Sequence, residues 1–362
     1  MATGPGFPSA TNVYVPTVRL GGNLVMGFSR NPAKFALPRY VQYVPTQQMV
    51  FLYAKLSPQE SFRFVTPQEK EWPDAQPRPM HPDGMEQFNL VEGRTHRYDY
   101  GSTFGDLTAE QAFYDILAFQ SGVAATQCMT HRSNRMIVAA TTSTAWTIAG
   151  TGSSGTSSEY DLSVDHTATA TSVSGGLWDA GSSTSPYLKK GLDAIEVIIN
   201  KETGGVISRP DLMLVINPDC ARRLAESAEV HDYIKGSYWA KEELNKQLGP
   251  NPKFGIPSEI YGMPIVIDDT VNVTSRKGAT LAKSYAFPNQ KALVVSRVGG
   301  LEGIPGGVAF STLSLYYYKG AEMDLEVFKD PKHRFTEVHV SENVAEVVTC
   351  PLSGYYVTSV TS

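Results

Sequence analysis

The sequence predicts an α+β protein, because helical and strand-like stretches are both present and occupy largely separate parts of the chain. One long stretch, Thr108 to Ala140, repeats apolar residues at three- and four-residue steps, which is the period of a helix. Near the C-terminus apolar and polar residues alternate, which is the period of antiparallel strands with one solvated face. The 31 glycines and 23 prolines supply the turns that such a strand-rich chain needs.

Composition narrows the functional class. Of the 362 residues, 41% are hydrophobic and 19% are charged, so the chain has enough apolar material for a packed core. The formal net charge of −5 argues against a general nucleic-acid binder, which needs a surplus of lysine and arginine. We find neither a signal peptide nor an apolar run of the ~20 residues that cross a bilayer. Three widely spaced cysteines without a C-x-x-C pair predict a protein made in a reducing compartment: Cys128, Cys220 and Cys350.

The first 100 residues predict an extended arm followed by a long ribbon of strands. Met1–Thr46 is rich in glycine, proline and asparagine and lacks a clear period. A strand follows from Gln47, and then a stretch with four prolines in ten residues (73–82) excludes regular structure. Met85–Tyr100 alternates as a strand of ~50 Å. A long ribbon whose face is only partly apolar is marginal alone, so we expect it to lie on a neighbour that this chain does not supply.

A long helix is predicted next. Thr108 and Gln111 stand in a capping-box arrangement, so we expect the helix to begin at Thr108. If it runs to Ala140 it has ~30 residues and spans ~45 Å. The residues that recur at three- and four-residue steps along it are Phe113, Ile116, Leu117, Gln120, Val123, Ala124 and Cys128.

Thr141–Ser185 is a low-complexity stretch of threonine, serine, glycine and alanine, which predicts loops and edge strands or a surface insertion. Within it, Gly150–Gly155 matches the G-x-G-x-x-G nucleotide-binding pattern after a predicted strand. No helix start follows, so no helix N-terminus faces a phosphate. The pattern therefore indicates a Ser/Gly loop.

The region from Leu188 to Phe310 predicts an α/β lobe. Asn217 is expected to cap a helix that has Pro218 at its first position. Strands are expected at LMLVI, GMPIVIDD and AFPNQKALVVSRV, and a further one at STLSLYYY. An earlier helix places four apolar residues on one stripe: Leu188, Leu192, Ile195 and Ile199.

The tail predicts an antiparallel meander with one wet face. Its strands are AEMDLEVF, HRFTEVHV, NVAEVV and YYVTSV, separated by KDPK, SE and TCPLSG. In the first strand Met323, Leu325 and Val327 face one way, while Glu322, Asp324 and Glu326 face the other.

The adjacent carboxylates Asp268 and Asp269 are the best candidates for acid–base chemistry, because burial can split the pKa values of a carboxylate pair. Neighbouring strand residues point to opposite faces, however, so the pattern favours a strand end and a turn. Cys128 and His131 lie three apart on the long helix without a second ligand pair, which indicates a core thiol and a helix-face imidazole. We assign no catalytic, cofactor-binding or metal-binding residue.

Two further groups of residues could carry a function: the tail histidines and the basic, aromatic stretch GRTHRYDY. The even spacing of His333 and His339 predicts that both lie on one face of the tail sheet, as satisfied sheet residues. The basic and aromatic residues of GRTHRYDY, with Tyr98 and Tyr100, could bind nucleic acid by charge and stacking. The acidic chain favours a protein partner for this stretch.

Several sequence words, and their order, carry a family resemblance. FRFVTPQEKEWPDAQPRP followed by THRYDYGSTFG looks like an extended loop, and AEQAFYDILAFQSGVAATQCMTHR looks like a spine helix. PDLMLVINPDCARRLAES followed by IPSEIYGMPIVIDD looks like an axial domain. From about Gln47 onward the chain resembles the major capsid protein of tailed double-stranded-DNA bacteriophages, which has the Hong Kong 97-like fold.

The resemblance implies a structural subunit, not an enzyme, that self-assembles into the icosahedral capsid shell enclosing the phage DNA genome. Its location would be the virion, with assembly in the host bacterial cytoplasm. The implied partners are copies of itself as hexamers and pentamers, a separate scaffolding protein, a portal and decoration proteins. DNA would be enclosed without sequence-specific binding, no membrane would be involved, and no cofactor is implied.

The resemblance also divides the chain. The implied segments are an N-terminal arm (1–46), an extended loop (47–105), a peripheral domain with the spine helix and the Ser/Thr/Gly-rich insert (106–187), an axial domain (188–311) and a return to the peripheral domain in antiparallel strands (312–362). We expect no cleaved N-terminal segment, because the loop begins only about 46 residues from Met1. Lys70 is the single lysine in the proline-rich loop region and the one crosslinking candidate, but we expect a single 39.5 kDa band after boiling.

Three alternatives stay open at this stage. An encapsulin-type compartment shell would share the fold and differ in its contents. A phage tail or decoration protein would form tubes, rings or trimers instead of shells. An α/β enzyme would depend on Asp268 or Asp269, and replacing both with asparagine would abolish its activity.

Overall fold

The computed structural model describes residues 35, 37–55, 89–111, 115–146, 165–247, 251–275, 278–280, 282–296, 311–318 and 322–362. Its strands are β1 (Gln42–Thr46), β2 (Val50–Lys55), β3 (Asn89–Arg94), β4 (His96–Gly105), β5 (Thr167–Thr169), β6 (Leu212–Ile216), β7 (Glu259–Ile260), β8 (Met263–Ile267), β9 (Val271–Val273), β10 (Lys283–Tyr285), β11 (Ala292–Ser296), β12 (Leu313–Tyr318), β13 (Asp324–Asp330), β14 (Phe335–Val348) and β15 (Tyr355–Thr358). Its α-helices are α1 (Asp106–Gln111), α2 (Ile116–Thr141), α3 (Ala170–Ser174), α4 (Tyr187–Glu202), α5 (Pro218–Glu226), α6 (Ala228–Gly236) and α7 (Tyr238–Lys246). Within these ranges, no helix combines the length and the apolarity required to cross a bilayer.

A five-stranded sheet is organised around β14. Strands β4, β12 and β13 all pair antiparallel with β14, and β1 pairs parallel with β12. Strands β4 and β13 flank the first part of β14, whereas β12 pairs with residues 344–348. Residues from both ends of the described chain therefore meet in one sheet.

Helix α2 lies across this sheet and is the predicted long helix with a different start. Thr108 is not its N-cap, because Thr108 lies inside α1 and Asp115 caps α2 instead. The side chain of Asp115 accepts a hydrogen bond from the N–H of Ala118 at 3.1 Å, which satisfies a free donor of the first turn. The 26 residues of α2 span about 39 Å.

The long strand predicted for Met85–Tyr100 is divided at Thr95 within the described residues. Strand β3 pairs with β2 as a two-stranded ribbon, but β4 enters the five-stranded sheet with ten residue pairs to β14. The buried Thr95 donates its N–H to the carbonyl of Met49 at 2.8 Å, which marks the end of the ribbon. The expectation that this chain supplies no cover is therefore wrong for β4, since β14 and α2 cover it.

The second sheet has six strands, some parallel and some antiparallel, in the order β5-β15-β11-β6-β8-β7. Its central strands β6 and β11 are completely buried, and they lie within the predicted strands LMLVI and AFPNQKALVVSRV. The predicted stripe of α4 is confirmed, because Leu188, Leu192, Ile195 and Ile199 are all buried. The predicted cap is confirmed too, with the side chain of Asn217 accepting the N–H of Cys220 at 2.7 Å.

A carboxylate from another helix caps α4. Pro186 stands at the N-cap position and has no capping side chain. Glu229 of α6, which is buried, accepts hydrogen bonds from the N–H groups of Leu188 at 3.0 Å and Lys189 at 2.8 Å. The hydroxyl of Tyr261 donates to the same carboxylate at 3.1 Å. An anion at a helix N-terminus is stabilised by free N–H groups and by the helix dipole.

The predicted tail meander is partly wrong. Ser341 and Glu342 form no turn, and β14 continues through them for 14 residues. Strand β15 leaves the meander and joins the six-stranded sheet, where it pairs with β11 and β5. The predicted faces of β13 are confirmed, because Leu325 is buried and Asp324 is exposed.

One apolar core joins the two sheets. It includes Val344 from the five-stranded sheet, Val215 from the six-stranded sheet and Ile137 from α2. Trp146 lies in this core and donates its indole N–H to the carbonyl of Ala140 at 2.8 Å. The two sheets therefore share packed side chains instead of meeting through a linker.

Candidate functional site

The two candidate carboxylates do not converge. Asp268 is buried, and its Oδ1 accepts the N–H of Thr270 at 3.0 Å, so it forms the predicted turn at the end of β8. Burial raises the pKa of Asp268. The carboxylate of Asp269 points to Lys253, whose Nζ lies 2.9 Å away. The interpretation as strand end and turn is confirmed, and the pair has no shared acid–base geometry.

The interpretation of Cys128 and His131 is also confirmed. Cys128 lies in the small core between α2 and the five-stranded sheet, and burial raises its pKa, so the thiolate nucleophile is disfavoured. The ring of His131 stacks on Tyr100 with 5.1 Å between ring centroids. In the part of the chain that the structure describes, no three His, Cys, Asp or Glu residues are grouped to hold a metal ion.

The prediction for the two tail histidines is wrong for His333. His333 lies in the turn between β13 and β14, and its Nδ1 lies 2.7 Å from Oδ2 of Asp330. His339 lies in β14, with Nδ1 2.9 Å from Oδ2 of Asp99. Burial lowers the pKa of His339, but the hydrogen bonds and charges of Asp99 and Glu337 together outweigh it, and the pKa is raised overall.

The aromatic residues of GRTHRYDY are not available to stack on bases. The guanidinium carbon of Arg135 lies 3.8 Å from the ring centroid of Tyr98. Arg135 also donates to the hydroxyl of Tyr100 at 3.0 Å, so both rings face α2. Gly150–Gly155 and Lys70 lie outside the described residues.

An ion network that the sequence analysis did not find connects α2 to β14. Arg132 donates its Nε to Oε2 of Glu342 at 2.7 Å, and Arg135 pairs with the other oxygen of the same carboxylate. Arg135 Nε lies 2.9 Å from Oε1 of Glu346. Arg132 also donates to the carbonyl of Glu322 at 2.9 Å. Because a buried charge is costly unless it is paired, this network fixes the position of the helix on the sheet.

The electrostatics of this network agree with its geometry. Burial disfavours the charged form of both arginines, yet their anionic and hydrogen-bonding partners, with Glu342 first among them, together raise the pKa of Arg132 and of Arg135. Burial raises the pKa of Glu346. Two signals in the sequence point to such a network: Arg132 and Arg135 are three apart on a helix, and Glu342 and Glu346 fall on one face of a strand.

The ribbon of β2 and β3 presents an uncovered apolar face. Its other face packs on the five-stranded sheet, where the ring of Phe51 stacks on Tyr316 with 4.2 Å between centroids. Val50 and Leu52 point away from this contact and are 45% and 63% exposed. A two-stranded ribbon with such a face is marginal in water, so Val50 and Leu52 form a candidate contact surface.

A second exposed apolar surface lies at the start of α7. Tyr238 and Trp239 follow the cap Ser237 and are 82% and 52% exposed. Exposed aromatic side chains are typical of the central residues of protein interfaces. The candidate functional site of this protein is therefore a pair of contact surfaces.

Comparisons with known proteins place this geometry among solved structures. No protein-family model and no curated protein matches the chain. A phage-related protein from Bordetella bronchiseptica RB50 matches with a TM-score of 0.60 and 12% identity over 96% of this chain and 98% of that one. The capsid of the cyanophage P-SCSP1u matches with a TM-score of 0.53 and 12% identity over 91% and 89% of the two chains. The capsid of a native GTA particle matches with a TM-score of 0.50 and 12% identity over 92% and 91%.

These matches extend over most of each chain. At 12% identity they show a shared fold. The mixed helix and sheet arrangement is the Hong Kong 97-like fold of phage capsid structures, as the sequence analysis expects.

Proposed function

We propose that this protein, which has the Hong Kong 97-like fold, is the subunit of an icosahedral capsid shell that encloses a phage double-stranded DNA genome. The observation that carries the proposal is the full-length fold match to a cyanophage capsid. A fold alone does not determine a function. The exposed surfaces of the ribbon and of α7 support the proposal, because a shell subunit needs contact surfaces that remain uncovered in the isolated chain.

The proposal assigns a role to each part of the chain. The five-stranded sheet with α2 forms the peripheral domain, and the six-stranded sheet with α3 to α7 forms the axial domain around the hexamer and pentamer axes. The arm (1–46) and the loop (47–105) contact neighbouring subunits, except for β1 and β4, which belong to the five-stranded sheet of their own chain. Many modest interfaces then act together in a closed shell.

The proposal assigns no catalytic chemistry to the chain. Asp268 and Asp269 point apart, and burial raises the pKa values of Cys128, Cys220 and Cys350. The formal net charge of −5 supports a container whose wall does not bind DNA tightly. A scaffolding protein, a portal and decoration proteins are the partners that we infer, with assembly in the bacterial cytoplasm and the virion as the final location.

Electron microscopy tests the proposal directly. We expect the full chain, expressed with its neighbouring genes, to form closed shells built from hexamers and pentamers. Tubes, rings or trimers would contradict the proposal, and so would a protein that stays monomeric at high concentration with those genes present. Particles that contain a cargo enzyme instead of DNA would indicate a compartment shell with the same fold.

A further inference from the structure

The chain crosses between its two large sheets at three places in the element order: between α2 and β5, between β11 and β12, and between β14 and β15. These crossings come together at one point of the described structure. We call this point the junction, and it consists of two residues from each crossing: Trp146 and His166 from the first, Ser296 and Thr312 from the second, and Ser353 and Gly354 from the third.

Direct contacts connect all three crossings at the junction. The N–H of His166 donates to the carbonyl of Trp146 at 2.8 Å, which closes the first crossing. The Nδ1 of the same histidine lies 2.7 Å from the carbonyl oxygen of Gly354 in the third crossing. The hydroxyl of Thr312 donates to the carbonyl of Ser353 at 3.1 Å, which joins the second crossing to the third. Packing is tight here, because a Cβ at Gly354 would come within 2.6 Å of the methyl group of Thr312.

The imidazole of His166 is the polar side chain at the centre of the junction, and among the described histidines it alone is fully buried. Its Nδ1 faces the carbonyl oxygen of Gly354, and a carbonyl oxygen only accepts. The neutral ring therefore carries its hydrogen on Nδ1. The Nε2 atom is buried and has no hydrogen-bond partner in the part of the chain that the structure describes. A proton added at Nε2 would create a buried charge with an unpaired N–H, which is costly.

The titratable groups around His166 do not compensate for such a charge. The ring of Tyr355 lies 5.6 Å from the imidazole between centroids, and burial raises its pKa, so this phenol stays neutral in acid. The side chain of Tyr356 belongs to the core on the other face of the sheet. Burial raises the pKa of the Cys350 thiol to about 11. Burial lowers the pKa of His166, and the neighbouring carbonyls and the charge of the exposed Asp165 offset only part of this.

We propose that His166 is a pH-sensitive switch: addition of a proton to its ring opens the junction and loosens the connection between the two sheets. This inference goes beyond the proposed shell function and does not depend on it, because the switch lies within one subunit. The two candidate contact surfaces lie on opposite sides of the junction. The ribbon packs on the five-stranded sheet through Phe51 and Tyr316. Helix α7 is bonded to the start of β7 in the six-stranded sheet, where Glu243 accepts the N–H of Ser258 at 3.0 Å. Opening the junction therefore changes the angle between these two surfaces.

The direction of the pH dependence follows from proton binding. A histidine exposed by opening has a pKa of about 6.5, whereas the closed junction binds the proton less tightly. Acid therefore favours the open state. The stability that the closed junction gains from the neutral ring is complete above about pH 6.5 and is lost as the pH falls below this value. Acidification from about pH 7.5 to about pH 5.5 should raise the equilibrium constant for opening about tenfold.

Hydrogen exchange of the unassembled, full-length subunit measures this opening. After correction for the intrinsic exchange rate, we expect exchange in the peptide that covers residues 350–358 to rise about tenfold on acidification, while β13 stays protected. His166→Asn should abolish this response, because its amide can donate to the carbonyl of Gly354 as Nδ1 does but does not titrate. The matched control is His231→Asn, which replaces an exposed histidine of α6 and should respond like the wild type.

Nitrogen-15 NMR of the histidine rings tests the switch in the wild-type protein, without a variant that must fold. We expect the ring of His166 to carry its hydrogen on Nδ1 at neutral pH and to titrate at a lower pH than the exposed His231. A midpoint at or above that of His231, or a hydrogen on Nε2, would overturn the inference. Exchange at residues 350–358 that does not change with pH would do so too, as would an equal response in His166→Asn. An equal increase in β13 would indicate general unfolding and would also contradict the switch. None of these outcomes depends on particles, so the proposed function would stand.

Discussion

Arg132 and Glu342 lie 210 positions apart in the chain and form a buried ion pair with an Nε–Oε2 distance of 2.7 Å. The side chain of Arg132 is 1% exposed and that of Glu342 is 0% exposed. This contact connects the middle of α2 to the middle of β14. Together with the pairs that Arg135 forms with Glu342 and Glu346, it holds the helix in place on the sheet.

Replacing Glu342 with glutamine should lower the free energy of unfolding by about 3–5 kcal/mol, because it leaves the buried guanidinium of Arg132 and the partly buried guanidinium of Arg135 without their shared carboxylate. Urea denaturation of the unassembled subunit measures this effect. The matched control is Asp219→Asn, which removes an exposed pair with Arg222 and should cost less than about 1 kcal/mol. Equal effects of the two variants would contradict the structural role of Glu342.

Replacing Glu229 with alanine should destabilise the subunit by about 2 kcal/mol, because it removes the only side-chain cap that the structure describes for the first turn of α4. Thermal unfolding measures the loss. Tyr261→Phe keeps the cap and removes one hydrogen bond, so it should cost roughly 1 kcal/mol or less. A larger effect for Tyr261→Phe than for Glu229→Ala would show that the cap contributes little.

The stability of the protein should depend on pH through Asp268. Its pKa is raised by burial, so above about pH 4, the value for an unfolded aspartate, the folded state holds this proton more tightly than the unfolded state does. Stability from this group is therefore lost as pH rises through the folded pKa. We expect Asp268→Asn to gain stability relative to wild type as the pH increases, since asparagine keeps the acceptor for Thr270. Denaturation curves that run parallel across pH would refute this expectation.

Replacing Leu52 with lysine should prevent assembly without unfolding the subunit, because Leu52 lies on the exposed face of the ribbon. Sedimentation velocity measures the fraction of protein in particles, which we expect to fall at least about tenfold. Leu52→Met is the control, since it keeps an apolar side chain and should assemble. Normal particles from Leu52→Lys would remove this face from the set of contact surfaces.

Local signals predicted those elements whose formation depends on nearby residues. The stripe from Leu188 to Ile199 and the cap at Asn217 need only a helical period and a short polar side chain. The apolar run LMLVI needs only burial on both faces. The exposed Val50 and Leu52 lie on the strand that was predicted from Gln47 onward, whose start needs only a local apolar run.

Long-range contacts decided the rest. Ser341 and Glu342 look like a turn because both are polar. However, Glu342 pairs with Arg132 of α2, the helix that packs on this sheet, and β14 continues. Thr95 divides a regular alternation because its N–H bonds to Met49. Strand β15 pairs with β11 and not with β14, and the register of that pair is not encoded in YYVTSV alone.

The 14 residues of β14 extend for about 48 Å, and the core around Trp146 connects that strand's sheet to the second sheet. We therefore expect the described part of the molecule to resist bending, because bending would disrupt the core that the two sheets share. A shell built from such rigid subunits must obtain its curvature at the interfaces between subunits. The geometry of the arm and the loop at those contacts would then determine the diameter of the particle.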